Sequence, residues 1–244
     1  MMIQNNVKIY PIQLYTILFN AFGPQQWWPM DHTHHHQFNT DPRFEVMIGA
    51  ILTQNTAWTN VEKAIHQLKQ QNLLNINQLA LADSLLVKQM IKPSGYFNQK
   101  TKRLQTLAQY LKEYYNSDLN SFFTQSLPIL RKELLSLHGI GPETADSIVL
   151  YAAEKPIFVV DAYTKRLCTR IPLPINSQSY DDIQKFFQDH LSTHYSNHEL
   201  VQIYNEFHAL IVNLGKYYCK PKPNCAHCPV LNHCQFGKKN GKIS

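Results

Sequence analysis

The residues best suited to chemistry lie near the C-terminal end of the 244-residue sequence, where four of five cysteines fall within sixteen positions. Cys219, Cys225, Cys228 and Cys234 are spaced Cys-x5-Cys-x2-Cys-x5-Cys. Thiolates are soft ligands, and four of them in one compact loop suit tetrahedral zinc or a [4Fe–4S] cluster. Zinc ribbons usually pair two Cys-x2-Cys knuckles. A single central knuckle with wider flanking gaps suits the corners of a cuboidal cluster better. Lys220 and Lys222 sit inside the first gap, placed to reach a phosphate or to remain solvated. Cys168 stands apart and reads as a buried apolar thiol. A metal-ligand cluster of this kind points to a reducing compartment, and the start of the chain lacks the pattern of a signal peptide. Both imply a cytoplasmic location.

A second motif is Leu137-His138-Gly139-Ile140-Gly141-Pro142-Glu143-Thr144-Ala145. Two glycines one residue apart permit a tight turn that exposes consecutive backbone N–H groups, and Pro142 suits the first turn of the helix that follows. Free amides at a helix start form an anion site, so a phosphate can dock there without any side-chain charge. The same pattern also fits an ordinary helix–helix turn. Twenty residues beyond Gly141, Val159-Val160-Asp161-Ala162-Tyr163 delivers a carboxylate to the start of another helix. Asp161 reads as an N-cap, and in that position it stays ionised and available for chemistry.

The elements that hold these residues are helices. Phe44, Ile48, Ile51 and Leu52 recur at helical spacing, as do Val61, Ile65 and Leu68, and Leu104, Leu107, Ala108 and Leu111. Asp83 is placed to cap a helix over 84–91, and Asn197 to cap a long one ending near Tyr218. Pro93-Ser94-Gly95 separates two helices. Only Ile157–Val160 reads as extended, too short to found a sheet. The expected fold class is all-α with roughly ten helices. Trp27-Trp28-Pro29 and then Asp31-His32-Thr33-His34-His35-His36 form an irregular loop rich in aromatic and imidazole groups. Its histidines suit either a metal site or a flexible surface loop without function. Lys238, Lys239 and Lys242 form a solvated basic tail.

Hydrophobic residues make up 44% and charged residues 16%, which fits a soluble globular protein and excludes a disordered one. No apolar run approaches the ~20 residues of a membrane span, so no membrane partner is expected. The formal net charge of +6 favours a polyanionic partner, most commonly nucleic acid.

Taken together, the hairpin LHGIGPETAD, the segment VVDAYTKRL and the terminal cysteines resemble the helix-hairpin-helix (HhH-GPD) DNA glycosylases of the endonuclease III superfamily. The resemblance runs from Asp41 to Cys234, with the first cysteine gap one residue shorter than in endonuclease III. It implies a two-lobe α fold: a six-helix barrel over 41–155, and a second lobe joining residues 1–40 to 156–244 around a [4Fe–4S] cluster. It further implies a monomer that binds double-stranded DNA containing a damaged base and flips that nucleotide out of the helix. By position Asp161 matches the catalytic aspartate, whose carboxylate stabilises the sugar cation and orients or deprotonates a water. Glu143 stands where strand-cutting members carry a Schiff-base lysine, so the expected enzyme removes the base and leaves an abasic site, without AP-lyase activity. Glu143 is then either a contact to the flipped base or water, or a first-turn helix acid. The hairpin residues His138, Gly139 and Gly141, with Lys220 and Lys222, are expected to meet DNA. Gln54 and Asn55 fall in the turn that fills the gap left by the flipped base.

Ile51–Trp58, with Trp27-Trp28-Pro29 before it and Lys92-Pro93-Ser94-Gly95-Tyr96 after it, is similar to the 3-methyladenine glycosylase III subgroup, whose best-known form lacks the cluster cysteines. That similarity makes Trp27, Trp28, Pro29 and Trp58 the base pocket. Indole faces attract a cationic, N3-alkylated purine by up to ~2 kcal/mol once desolvated. The competing readings are an endonuclease III-type enzyme for oxidised pyrimidines, an adenine-mismatch glycosylase, and a non-catalytic metal-containing DNA-binding module.

Overall fold

A computed structural model describes residues 8–175 and 177–240; Lys242 of the basic tail lies outside the described residues. Among the described residues there are fourteen α-helices, two 3₁₀ turns and no strand. They divide into two compact units, residues 28–155 and, on the other side of the division, the segments before 28 and after 155. The extra helices over the ten expected are short ones of five to seven residues, below the length at which apolar periodicity becomes readable.

The first unit contains α2 (His32–Phe38), α3 (Pro42–Leu52), α4 (Trp58–Gln70), α5 (Ile76–Leu81), α6 (Ser84–Ile91), α7 (Phe97–Tyr115), α8 (Leu119–Phe123), α9 (Leu127–Ser136) and α10 (Pro142–Tyr151). Helix α3 is its axis. Asp41 accepts from Arg43 N, Pro42 opens the helix, and every residue from Phe44 to Leu52 is buried. A helix apolar on all sides must be surrounded; α4, α7 and α10 pack on it, with α5 on α7 and α6 on α4. At the α6–α7 junction the 3₁₀ turn Lys92–Ser94 ends on Gly95, as the Pro93-Ser94-Gly95 break requires.

Residues 28–40 belong to this unit, whereas the sequence reading groups them with the N-terminal helix. The reason is local. His32–Phe38 is a helix rather than a loop, with Asp31 accepting from His34 N at 3.0 Å. His35 is 4% exposed and bridges Thr40 Oγ1 and Glu45 Oε2 at 2.7 Å each, while Lys69 Nζ stands 3.1 Å from the same Glu45 oxygen. A buried carboxylate is tolerated only with such partners.

The second unit contains α1 (Pro11–Phe22), α11 (Ala162–Arg170), α12 (Tyr180–Ser192), α13 (Asn197–Tyr217) and α14 (Gln235–Asn240). Its core is aromatic: Phe158 stacks on Phe187 at 4.5 Å, and Phe207 and Tyr204 meet Phe158 edge-on. Helix α1 packs on α13, with Leu14 and Leu18 fully buried. Gln25 N donates to Glu206 and Asn213 Nδ2 to Gln25, both at 2.6 Å. The N-cap of α13 is Ser196 rather than Asn197, because Glu199 three residues into the helix completes a capping box with it. No described helix is long and apolar enough to cross a membrane.

Candidate active site and metal centre

Residues 157–160 are extended and buried, with no neighbouring strand among the described residues to satisfy their backbone. Side-chain amides of α12 take that role: Gln188 accepts from Phe158 N at 2.9 Å and Gln184 donates to Phe158 O at 2.7 Å. The segment ends on Asp161, which caps α11. Oδ1 accepts from Thr164 N at 2.7 Å and from Thr164 Oγ1 at 2.9 Å. Oδ2 lies 3.6 Å from His208 Nε2 of α13. Burial works to raise the carboxyl pKa, but His208 and the Thr164 donors outweigh it and hold Asp161 below the ordinary carboxylate range. Cys168 is buried in the same helix. Burial, with the nearby Asp161 charge, pushes its thiol up to about 12, consistent with an inert packing residue.

In the other unit, the hairpin joins α9 to α10. Ile140 is buried and anchors the turn, while His138, Gly141 and Glu143 are exposed. Gly139 has φ +84°, and a Cβ there would lie 2.2 Å from Arg103 Nε. Gly141 caps α10 in an extended conformation that any residue adopts, with open space where a Cβ would stand. The two glycines are thus needed for different reasons. The side chain of Gln54 is committed to this hairpin. Its Nε2 donates to Gly139 O at 3.0 Å and to Thr144 Oγ1 at 2.8 Å, and its Oε1 accepts from Arg103 Nη1. Asn55, next in the turn, is exposed with φ +55°. Of the two side chains expected to enter the helix gap, Asn55 is presented and Gln54 is tied down. Beneath the turn, Lys100 is fully buried and donates to Leu52 O at 2.8 Å and Ser94 O at 2.7 Å, fastening the end of α3 to the 3₁₀ turn. Burial, with Arg103 nearby, brings its pKa down to about 8.

Trp28 and Trp58 meet edge-to-face at 5.2 Å, and Trp28 also contacts Tyr151 at 5.3 Å. Trp28 lies directly over Gly49, where a Cβ would come within 2.6 Å of its ring. Glu62 accepts from Trp58 Nε1 at 2.8 Å. Pro29 and Trp58 line one groove together with Asp31, Glu45, Glu62 and Lys69. Trp27 falls in the other unit.

Cys219, Cys225, Cys228 and Cys234 line a single small cavity between α11, α13 and α14. Arg170 Nη1 donates to Cys219 Sγ at 3.3 Å and to Lys220 O at 2.7 Å, and its guanidinium stacks on Phe236 at 4.5 Å. Gly237 N points at Cys234 Sγ from 3.2 Å. Burial raises the Cys228 thiol to about 11, so thiolates at this depth need positive charge inside the ring of sulfurs. Sulfurs around an otherwise apolar cavity, two of them accepting N–H donors, fit an iron–sulfur cluster. Among the described residues, no three His, Cys, Asp or Glu side chains, including those of the histidine segment, are grouped as they would be around a single ion. Lys220 and Lys222 are exposed at the edge of the loop.

His208, Arg103 and Lys100 carry no sequence signal of their own. His208 sits beside the apolar stripe of α13, forty-seven positions from Asp161, and a lone histidine there reads as packing.

An all-α chain with a glycine hairpin and a helix-capping aspartate at the end of an extended segment defines a class of DNA repair protein. Residues 48–192 match the HhH-GPD superfamily of base excision DNA repair proteins. A protein of Methanocaldococcus jannaschii, described provisionally as a DNA repair glycosylase, is 40% identical over 91% of this chain and 94% of its own. The endonuclease III of Thermotoga maritima is 28% identical over 83% of this chain and 87% of its own. Among solved structures, an H. pylori 3-methyladenine DNA glycosylase bound to 1,N6-ethenoadenine superposes with a TM-score of 0.65 at 27% identity. It covers 85% of this chain and 98% of that one. An endonuclease III–DNA complex shares the fold, with a TM-score of 0.69 at 22% identity over 96% of this chain and 100% of that one. The chain belongs to the HhH-GPD superfamily and is a base excision repair DNA glycosylase.

Proposed function

We propose that this glycosylase hydrolyses the N-glycosidic bond of alkylated purines such as 3-methyladenine and leaves an abasic site with the strand intact. The observation that carries the substrate is the Trp28–Trp58 pair, with the Trp58 indole N–H fixed by Glu62 beside an open groove. Electron-rich ring faces favour a cationic purine. The similarity to a 3-methyladenine glycosylase at 27% identity supports the same reading.

As the C1′–N bond breaks, its electron pair passes to the alkylated base, which leaves neutral, and positive charge builds on the sugar. The Asp161 carboxylate, already held ionised, stabilises that charge. Water then adds to C1′ and its proton passes to the carboxylate. Glu143 supplies no amine, so no Schiff base forms and the backbone is not cut. The N–H groups at the start of α10 hold a DNA phosphate, with Asn55 offered to the vacated stack. Cys219, Cys225, Cys228 and Cys234 would hold a [4Fe–4S] cluster. When bound, it supplies a covalent tie between α13 and the C-terminal segment, and it takes no part in the base-release step.

Duplexes carrying alkylated, oxidised or mismatched bases, incubated with purified protein, test the reading. The expected result is free 3-methyladenine, strand cleavage only after alkali, and loss of release with retained DNA binding in Asp161→Asn. Nicking without alkali, or release only of oxidised pyrimidines, would overturn it. A brown protein absorbing near ~400 nm is expected for the cluster, and a colourless zinc protein would refute that part.

A further inference from the structure

We propose that His208 is the positioning residue of the reaction, the partner through which the second oxygen of Asp161 is kept charged for base release. The inference rests on the reading of Asp161 given above. It starts from how the two carboxylate oxygens are used. Oδ1 is saturated by two donors from Thr164 and is thereby spent on capping α11. Oδ2 is the oxygen left for chemistry, and it faces His208 Nε2 at 3.6 Å. That distance is too long for a hydrogen bond and short enough for a strong charge interaction. Both side chains are 11% exposed, so solvent screens the pair weakly.

Among the described residues of this unit, the other ionisable groups on the packed helices are neutral, exposed or engaged elsewhere. Helix α11 contributes Cys168, whose raised thiol is neutral, Lys165, which is exposed, and Arg166 and Arg170, which donate to Cys219 O and Lys220 O. Helix α13 contributes Tyr204, whose hydroxyl burial pushes up to about 12, and Glu206, which burial pushes up and which accepts from Gln25 N, while His198, Glu199 and Lys216 are exposed. From α12 the buried neighbour is Gln184, which is uncharged, while Asp181, Asp182, Lys185 and Asp189 are exposed. Lys238 and Lys239 of α14 are exposed as well, and α1 carries no acidic or basic side chain. A carboxylate this deep would otherwise take up a proton, because burial disfavours its charged form. Thr164 opposes that at Oδ1, and His208 opposes it at Oδ2, the oxygen that must carry charge when the sugar cation forms. A neutral amide in place of the imidazole would keep the packing and remove the titrating partner.

Two measurements separate this inference from the proposed function. First, the His208 ring resonance, identified by its loss in His208→Gln, is followed by NMR from about pH 5 to 9 in the wild type and in Asp161→Asn. Linkage is reciprocal, so loss of the Asp161 charge should lower the His208 midpoint. An unchanged midpoint overturns the inference, whatever the enzyme acts on. Second, single-turnover release of 3-methyladenine from methylated duplex DNA is measured across the same range. In His208→Gln the acid limb should move to higher pH, with the rate recovered on the alkaline side. A purely structural role for His208 would lower the rate in parallel at every pH, and that result overturns the inference. A coupled His208 titration in a protein that releases no methylated base would leave the pair intact and sink the substrate reading instead.

Discussion

Replacing each hairpin glycine with alanine tests the account of the phosphate-binding turn. At Gly139 two costs add. An L-residue at φ +84° costs about 1–2 kcal/mol. The new Cβ would also stand 2.2–2.6 Å from the Arg103 Nε, Cδ and Cγ atoms. Arg103 can move only by releasing Gln54, and a charge-assisted bond of that kind contributes about 1.5–3 kcal/mol. The expected loss for Gly139→Ala is therefore about 2.5–5 kcal/mol in equilibrium urea unfolding. At Gly141 the backbone is extended and the Cβ meets nothing within 4 Å, so Gly141→Ala should cost about 1 kcal/mol or less, mostly as a poorer cap. Its methyl would nevertheless stand where a phosphate approaches, and DNA affinity at fixed salt should fall roughly tenfold. One variant is thus expected to lose stability and the other to lose binding. In an Arg103→Ala background the Gly139→Ala cost should shrink to the backbone share, about 1–2 kcal/mol. Equal destabilisation by the two alanines, or no coupling between positions 139 and 103, would refute the reasoning.

Two further outcomes follow from buried charges elsewhere in the same unit. The folded-state pKa of Lys100 is about 8, against 10.5 ordinarily, so between those values the unfolded chain binds the extra proton and stability rises with pH; below 8 the buried ammonium is a net cost. Urea titrations should therefore show the wild type gaining up to about 3 kcal/mol over Lys100→Met between about pH 8 and 10.5, and a pH-independent difference would contradict the assignment. Asp146 is fully buried and accepts from Arg131 through contacts of 2.6 and 3.2 Å, so Arg131→Leu, which removes both charge-assisted bonds, should lose about 2–4 kcal/mol in urea unfolding, and a near-neutral result would contradict a stabilising role for the pair.

What could be read beforehand divides along physical lines. Helix ends were legible where a cap or proline marks them, as at Asp41-Pro42, Asp83, Asp161 and Gly141-Pro142. Periodicity found the long helices and missed α2, α5 and α8, because one or two turns do not complete a pattern. The histidine-rich segment misled for a further reason: polar residues suggest a loop until Glu45 and Thr40 are known to wait beneath His35. The cysteines stand out by type and spacing, Asp161 by its cap position and its match to the family's aspartate. Their partners do not. Arg170 against Cys219, Arg103 against Gln54 and His208 against Asp161 are contacts across about fifty positions, created only by packing.

The order of the chain bears on how the protein is made. Residues 28–155 are contiguous, so everything that unit needs is available once it has left the ribosome. The other unit is interrupted. Helix α1 precedes residue 28 in the chain, yet α13, on which it packs, lies some 180 positions later. At about 5–20 residues per second, α1 waits roughly 10–40 s for its partner. Throughout that interval the apolar face of α1 lacks the helix it packs on, while residues 28–155 are already free to fold.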